Sequence, residues 1–267
     1  MLHRNSDDLP DLWQVANTLA DAARIETLRY FRQDGLSTES KRVHFDPVTI
    51  ADRNAELAMR RLLEELRPDD GIIGEEHGSK EGTSGLTWVL DPIDGTRGYI
   101  SGTPTWGVLI SVADADGPFI GIIDQPYVGE RFEGGLGRSR VSGPLGTHPL
   151  GVKADVELSE ATLFSTFPEV GTDEEGAAFR RVSSKVKLTR YGCDCYAYAL
   201  LAAGQIDLVI EAGLNIYDVQ APIAVIESAG GIVTDWEGKP AHLGGRILAA
   251  GNPELHFAAL SLLRGAD

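Results

Sequence analysis

The sequence predicts a layered α/β fold. Between residues 161 and 263, short runs of apolar, β-favouring residues alternate with segments of helical spacing. In the first half, apolar runs at 106–112 and 119–124 flank a polar turn, which is typical of an antiparallel hairpin. Each of these elements has an apolar side that must be buried against another element, and sheets covered by helices meet that need.

The first half is predicted to begin with two helices. Apolar residues recur at helical spacing from 9 to about 34, residues 6–8 offer N-cap candidates, and Gly35 ends the pattern. A second helix is predicted from 46 to 66, ending before Pro68. Strands are then predicted at 71–74, 88–90, 106–112, 119–124 and 131–133.

The second half is predicted to alternate strands with helices. Gly134, Gly135, Gly137 and Gly143, followed by Pro144, predict a boundary between domains at 1–143 and 144–267. The predicted strands lie at 161–166, 187–190, 207–210, 231–234 and 247–250, and the predicted helices at 173–186, 196–203, 219–229 and 253–263.

The composition excludes several classes of protein. The net charge of −16 argues against nucleic acid and anionic membranes as partners, because both would be repelled. No apolar run approaches the roughly 20 residues needed to cross a bilayer, and the first eight residues lack a signal-peptide core. Cys193 and Cys195 are predicted to be reduced thiols. Together these features predict a cytoplasmic protein.

A short apolar strand that ends in an acidic turn carries the clearest functional pattern. Asp91 and Asp94 flank a Pro-Ile pair, and Gly95 follows. The fixed φ of proline and the permissive glycine let the turn curl, so that both carboxylates and the Ile93 carbonyl point to one place. Such hard oxygen ligands suit Mg²⁺. The alternative is an ordinary surface turn, in which Asp-Pro and Asp-Gly pairs are common.

Two further acidic segments favour the metal site. Glu75 and Glu76 follow the strand predicted at 71–74, and Asp218 begins an apolar helical pattern. Neighbours along an extended segment point to opposite faces, so only one of the two glutamates can face a given metal. His77 is interpreted as a solvent-facing loop residue.

These motifs resemble the inositol monophosphatase superfamily of Mg²⁺-dependent, lithium-sensitive phosphatases. They are G-E-E at 74–76, D-P-I-D-G-T at 91–96, Y-D-V-Q-A at 217–221 and E-S-A-G-G at 227–231, in the order of the family. The resemblance extends from about residue 46 to 252. It implies an αβαβα five-layer sandwich with the active site between its two parts.

The resemblance also implies the metal ligands. One Mg²⁺ would be held by Glu75, Asp91 and the Ile93 carbonyl, and a second by Asp91, Asp94 and Asp218. A weaker third ion near Glu75 and inhibition by lithium are implied as well. Cations are needed because an anionic phosphate ester must enter a pocket built from carboxylates.

Asp52 has two interpretations. Its carboxylate could complement the dipole at the start of the second helix, or it could belong to the site. The resemblance implies the second role, in which Asp52 accepts a hydrogen bond from Thr96. Glu75 and Thr96 would then orient the attacking water, and the backbone amides of Gly95 and Thr96 would meet the phosphate.

The segments 191–198 and 98–102 are similar to histidinol-phosphate phosphatases of this superfamily. By that resemblance Asp194 would pair with the ammonium group of the substrate, and Gly192 and Glu211 would also contact the substrate. A helix N-cap is the alternative for Asp194. The implied enzyme acts in histidine biosynthesis, and a homodimer is predicted.

Two other functions remain as alternatives. An inositol or other polyol monophosphatase is the nearest, although such enzymes usually have a small uncharged residue where Asp194 stands. A regulatory metal-binding protein belongs to a different class. Every ligand implied by the family is present, which favours a metal-dependent phosphomonoesterase acting on a small phosphorylated substrate.

Overall fold

A computed structural model describes residues 9–33, 38–40 and 47–265. The predicted N-cap residues 6–8 and Gly35 lie outside this part of the chain. The helices are α1 Leu9–Tyr30, α2 Ile50–Leu66, α3 Thr96–Ile100, α4 Asp173–Ser183, α5 Cys195–Ala202, α6 Ile216–Ser228 and α7 Pro253–Leu263, with a 3₁₀ turn at Leu158–Glu160. The strands are β1 Thr38–Ser40, β2 Pro47–Thr49, β3 Gly71–Gly74, β4 Gly78–Lys80, β5 Thr87–Asp94, β6 Gly107–Asp114, β7 Gly117–Gln125, β8 Glu130–Gly135, β9 Arg138–Gly143, β10 Gly146–Pro149, β11 Thr162–Ser165, β12 Leu188–Tyr191, β13 Leu208–Leu214, β14 Ile232–Thr234 and β15 Gly245–Ala250.

An eight-stranded sheet forms the first half, in the order β10-β9-β8-β7-β6-β5-β3-β4. Its strands are antiparallel except for the parallel pair β3 and β5. Side chains alternate between its two faces, as the pleat requires. Val108 and Ile110 of β6 pack against α1 and α2, whereas Leu109 between them packs against α5 and α6.

A five-stranded mixed sheet forms the second half, in the order β12-β11-β13-β15-β14. Val209 of β13 faces α5 and α6, and its neighbours Leu208 and Ile210 face α4 and α7. The layers therefore run helix, sheet, helix, sheet, helix. This arrangement confirms the predicted αβαβα sandwich, and α5 and α6 form the layer that both sheets share.

The shared helix α6 lies very close to the first sheet. A Cβ atom on Gly121 of β7 would sit 2.4 Å from the carbonyl oxygen of Ala221, and one on Gly134 of β8 would sit 2.3 Å from the Cα of Val225. Glycine is therefore required at both strand positions for the helix to approach.

An ion pair and a hydrogen bond to buried carboxylates attach α1 to the same sheet. Arg24 donates to the buried carboxylate of Asp124 at 2.7 Å, and Asn17 donates to the buried Glu133 at 2.9 Å. Arg138 and Arg140 also pair with Glu133, so both carboxylates have cationic partners. In the described part of the chain, no helix combines the length and apolar character needed to cross a membrane.

Two parts of the fold differ from the predictions. The second helix begins at Ile50 and not at residue 46, because Pro47–Thr49 pairs with Thr38–Ser40 as a short antiparallel ladder. The glycine-rich segment forms β8 and β9, and β10 extends the first sheet to Pro149. The domain boundary at 143 stays a prediction, and the strand pairing favours a position after Pro149.

Candidate active site

Three carboxylates meet where β5 ends and α6 begins. Oxygen atoms of Asp91, Asp94 and Asp218 lie within 4.8 Å of one another. The pairing of β5 with β6 shifts register between Asp91 and Asp94, so this part of the strand bends as the acidic turn predicts. The backbone N–H of Ile93 donates to Asp91 Oδ1 at 3.0 Å and fixes that carboxylate within the turn.

Asp218 reaches the cluster from the third position of α6. The backbone N–H of Asn215 donates to Asp218 Oδ2 at 2.6 Å, and the Asn215 amide donates to the same oxygen at 3.2 Å. This capping box fixes the direction of the carboxylate at the helix start. The Asp218 side chain therefore caps α6 and also lies in the acidic cluster where it is predicted to bind a metal ion.

Glu75 follows β3, the parallel neighbour of β5. Its backbone N–H donates to the Leu90 carbonyl at 3.2 Å and continues the pairing of the two strands. Parallel strands end at the same edge of a sheet, so Glu75 comes to lie beside Asp91, and its side chain lines the cleft above. His77 is exposed, as predicted.

Burial and mutual repulsion dominate the electrostatics of this cluster. Burial raises the pKa of Asp91 well above its ordinary value, and the charges of Glu75, Asp94 and Asp218 raise it further. The pKa of Asp94 is raised by burial and by Asp194 and Asp218. A bound divalent cation would relieve this repulsion, and a set of carboxylate oxygens is the donor type that Mg²⁺ takes. The residues present therefore fit a divalent metal ion.

The predicted contact between Asp52 and Thr96 is present. Thr96 Oγ1 lies 3.3 Å from Asp52 Oδ1 and 3.1 Å from the Ile93 carbonyl oxygen. The other oxygen of Asp52 accepts from the backbone N–H of Thr49 at 2.9 Å in the capping box of α2. Asp52 thus caps α2 with one oxygen and lies within hydrogen-bond distance of Thr96 with the other, and its role in the site stays a prediction.

A cleft of about 600 Å³ opens above the carboxylates. One wall comes from the turn after β5 and from α3, and the other from the ends of β11 and β13. The guanidinium of Arg97 lies 4.9 Å from the ring centroid of Phe167 and joins the two walls. The lining residues are Glu75, Asp94–Arg97, Ser165–Phe167, Val170, Gly171, Asp194, Cys195, Tyr198, Glu211–Asn215, Tyr217 and Asp218.

Glu211 lies on the second wall with every oxygen engaged. The backbone N–H and the hydroxyl of Thr166 donate to Oε1, at 2.9 and 2.5 Å, and the Tyr198 hydroxyl donates to Oε2 at 3.1 Å. Burial raises the pKa of Glu211 to about 7 against the opposing effect of these donors. Tyr198 is therefore a partner of the predicted substrate residue.

Asp194 lies between the two walls in a strained conformation. Its φ of 47° is in a region that favours glycine. Its side chain makes no capping hydrogen bond to α5, although the residue occupies the N-cap position. A Cβ atom on Gly95 would sit 2.7 Å from the Asp194 carboxyl carbon, so the carboxylate lies directly against the turn after β5. Burial raises the pKa of Asp194 to about 6, and Arg97 opposes that rise.

Gly192 is predicted to contact substrate, but its backbone is engaged elsewhere. Its N–H donates to the Ser165 carbonyl at 3.1 Å, its carbonyl lies 3.4 Å from Thr105 Oγ1, and the residue does not line the cleft. Sequence reasoning missed Arg97, Thr166 and Phe167. No motif in the sequence distinguishes these three, since each acquires its partner only when segments distant along the chain fold together: Arg97 meets Phe167, and Thr166 meets Glu211.

Raised carboxyl pKa values make the metal-free protein less stable as the pH rises. Glu211 binds its proton more tightly in the folded state than in the unfolded state. The free energy of unfolding therefore falls by about 3 kcal/mol as the pH rises from about 4 to 7. Asp194 acts in the same direction, whereas the lowered pKa of His256 opposes it. We expect the melting temperature in EDTA to be lower at pH 8 than at pH 5, and Glu211→Gln to reduce this difference. An equal difference in the variant would contradict the pKa assigned to Glu211.

The comparisons with known proteins point to one family but not to one substrate. A model of the inositol monophosphatase family matches residues 8–266. A bifunctional chloroplast phosphatase of Arabidopsis thaliana is 42% identical over 260 residues, covering 93% of this chain and 74% of that protein. A Streptomyces coelicolor protein named histidinol-phosphatase is 36% identical over 269 residues, covering 96% of this chain and 98% of its own. The solved structure of an inositol monophosphatase from Zymomonas mobilis shares 37% of its sequence with this chain, with a TM-score of 0.84 over 97% of this chain and 100% of that one.

Proposed function

The chain belongs to the inositol monophosphatase family and is a phosphomonoesterase, and from this premise we propose that it is a Mg²⁺-dependent histidinol-phosphate phosphatase. One observation carries the choice of substrate: the carboxylate of Asp194 lies against the turn after β5, inside the cleft that holds the acidic cluster. An ammonium group on the leaving alcohol would find a partly buried counterion there.

The metal ligands proposed are those that the family pattern implies. Glu75, Asp91 and the Ile93 carbonyl would hold one ion, and Asp91, Asp94 and Asp218 a second, with a weaker third near Glu75. When bound, the ions supply an activated water, neutralise the phosphate and stabilise the leaving oxygen. Inhibition by lithium stays a prediction.

The residues around the ions would orient the reactants. Asp52 and the Ile93 carbonyl both lie within hydrogen-bond distance of Thr96 Oγ1, so the hydroxyl donates its one proton to either of them and keeps its oxygen lone pairs for the cleft that Thr96 lines. Thr96 and Glu75 would direct the attacking water at phosphorus. The left-handed backbone of Gly95, with φ of 86°, turns the chain so that the amides of Gly95 and Thr96 can meet phosphate oxygens.

Phosphate release from a small panel of monoesters tests the proposal. We expect kcat/KM for L-histidinol phosphate to exceed that for inositol 1-phosphate and glycerol phosphate by at least about thirtyfold, which corresponds to about 2 kcal/mol for one charged contact. EDTA should abolish all of these activities. No hydrolysis of any monoester with Mg²⁺ present would contradict the proposed function itself.

An inositol or other polyol monophosphatase is the second candidate. Oε2 of Glu211 accepts one hydrogen bond, from Tyr198, and so retains a lone pair that a substrate hydroxyl group could use, and the Zymomonas mobilis neighbour is named as an inositol monophosphatase. Preference for inositol 1-phosphate in the panel would select this candidate. The predictions of a homodimer and of a cytoplasmic location stay predictions.

A further inference from the structure

A buried glutamate of α2 binds the turn that carries Glu75. Glu56 is 0% exposed. Its Oε2 accepts from the backbone N–H of Glu76 at 2.7 Å, and its Oε1 accepts from the backbone N–H of His77 at 3.2 Å. These two N–H groups belong to the residues immediately after Glu75. A carboxylate that accepts two neighbouring backbone donors fixes the path of the chain between them.

Arg60 completes this attachment one helical turn later. Its Nε lies 2.6 Å from Glu56 Oε1, and its Nη2 donates to the Gly78 carbonyl on β4. The arginine side chain is only 13% exposed, so it balances the buried charge of Glu56. The whole connection from β3 to β4 is therefore held by one face of α2.

Gly74 shows how closely the helix and the turn approach. A Cβ atom there would sit 2.1 Å from Glu56 Oε1, so the carboxylate occupies the space that a side chain would fill. Asp52 lies four residues before Glu56, on the same face of α2, and its carboxylate reaches Thr96. One face of α2 thus contacts both the backbone that follows Glu75 and the side chain of Thr96.

We propose that Glu56, together with Arg60, is a positioning residue for Glu75. It holds the backbone after Glu75 so that this carboxylate faces Asp91, and it sets the separation of Glu75 from Thr96 through the rigid spacing of α2. The inference rests on the proposed function, in which Glu75 holds a metal ion and orients the water.

The test is Glu56→Gln, with Glu133→Gln as the matched control. Both residues are buried glutamates with arginine partners, but Glu133 lies in β8, outside the cleft. A glutamine at 56 cannot accept from both N–H groups and leaves Arg60 without its counterion. Titration with Mn²⁺, followed by the spin-resonance signal of the free ion, should show the tightest site weakened at least about tenfold in Glu56→Gln, and less than twofold in Glu133→Gln.

A second comparison separates positioning from general destabilisation. If Glu56 acts through Glu75, then Glu56→Gln should change Mn²⁺ affinity less than twofold when Glu75→Gln is already present. Equal weakening in both backgrounds would overturn the inference, and so would unchanged affinity in the single variant. Should Glu56→Gln fail to fold, Arg60→Lys replaces it, because lysine keeps the charge but cannot contact Glu56 and Gly78 together.

Phosphate release measured in the same preparations distinguishes failure of the Glu56 proposal from failure of the proposed function. Mn²⁺ affinity decides on the role of Glu56 whether or not the wild-type protein hydrolyses monoesters. Hydrolysis by the wild-type protein decides on the proposed function whatever Glu56→Gln does.

Discussion

Asp91→Asn is expected to lower kcat with Mg²⁺ by at least about a thousandfold, which corresponds to about 4 kcal/mol of transition-state free energy. Asp91 is the residue proposed to contact both strongly bound ions, and it is 1% exposed, so water cannot replace the lost ligand. Neutralising it should weaken two metal sites together. Steady-state phosphate release over a range of Mg²⁺ concentrations measures the effect.

The same substitution should leave the metal-free protein at least as stable as the wild type. Burial and three neighbouring carboxylates raise the pKa of Asp91, so its charge opposes folding when no cation is bound. Asparagine keeps the oxygen that accepts from the Ile93 N–H. Loss of activity with an unchanged or higher melting temperature in EDTA is therefore the specific expectation.

Asp70→Asn is the matched control, because Asp70 is also a buried aspartate beside β5. It accepts from Trp88 Nε1 and from Arg67 Nε, each at 2.8 Å, and does not line the cleft. It should lose roughly 1–3 kcal/mol of folding stability while kcat changes little. Retention of kcat within tenfold in Asp91→Asn would contradict the proposed metal ligands.

Asp194→Asn is expected to lower kcat/KM for histidinol phosphate by about thirtyfold or more, since one partner of a partly desolvated ion pair is lost at a cost of about 2–5 kcal/mol. Hydrolysis of glycerol phosphate should change less than about threefold, because asparagine has nearly the shape of aspartate and adds little backbone strain to that already present at this positive φ. Rates for both substrates, measured on one preparation, give the result as a ratio.

A uniform fall on both substrates would count against the ammonium-binding role. It would indicate that Asp194 supports the turn after β5, against which its carboxylate lies. The cap interpretation is already disfavoured, since the side chain makes no capping hydrogen bond to α5. In Asp194→Asn the metal requirement should stay that of the wild type.

The acidic turn could be predicted from sequence because the geometry is local. Asp91, Ile93 and Asp94 lie within four consecutive residues, and proline and glycine restrict the path between them. The strands and helices of the second half were predictable for a similar reason: each has its own apolar period and ends at a glycine or a polar cluster. Local rules therefore suffice for the individual elements of the second half and for the turn, whereas the order of the five layers came from the family resemblance.

The rest of the cleft depends on contacts between distant parts of the chain. Thr166 meets Glu211 across 45 residues, and neither lies in a pattern that predicts the other. The structure of the glycine-rich segment depends on a distant contact in the same way. Glycines are common in linkers, yet Gly134 lies in β8. Glycine is required there because α6 packs too closely against the strand to leave room for a side chain. Such requirements come from packing between layers, which a single sequence does not display.

The close contact of α6 with the first sheet restricts how the two sheets can move relative to each other. Rotation of the second sheet away from the first would pull α6 off Gly121 and Gly134, where backbone meets backbone with no side chain between. Asp218 travels with that helix, so its separation from Asp91 cannot depend on a hinge between the two halves. The separation of Asp91 and Asp218 is therefore set by the packing of α6 on the first sheet, and the second sheet can shift on the far side of that helix without changing it.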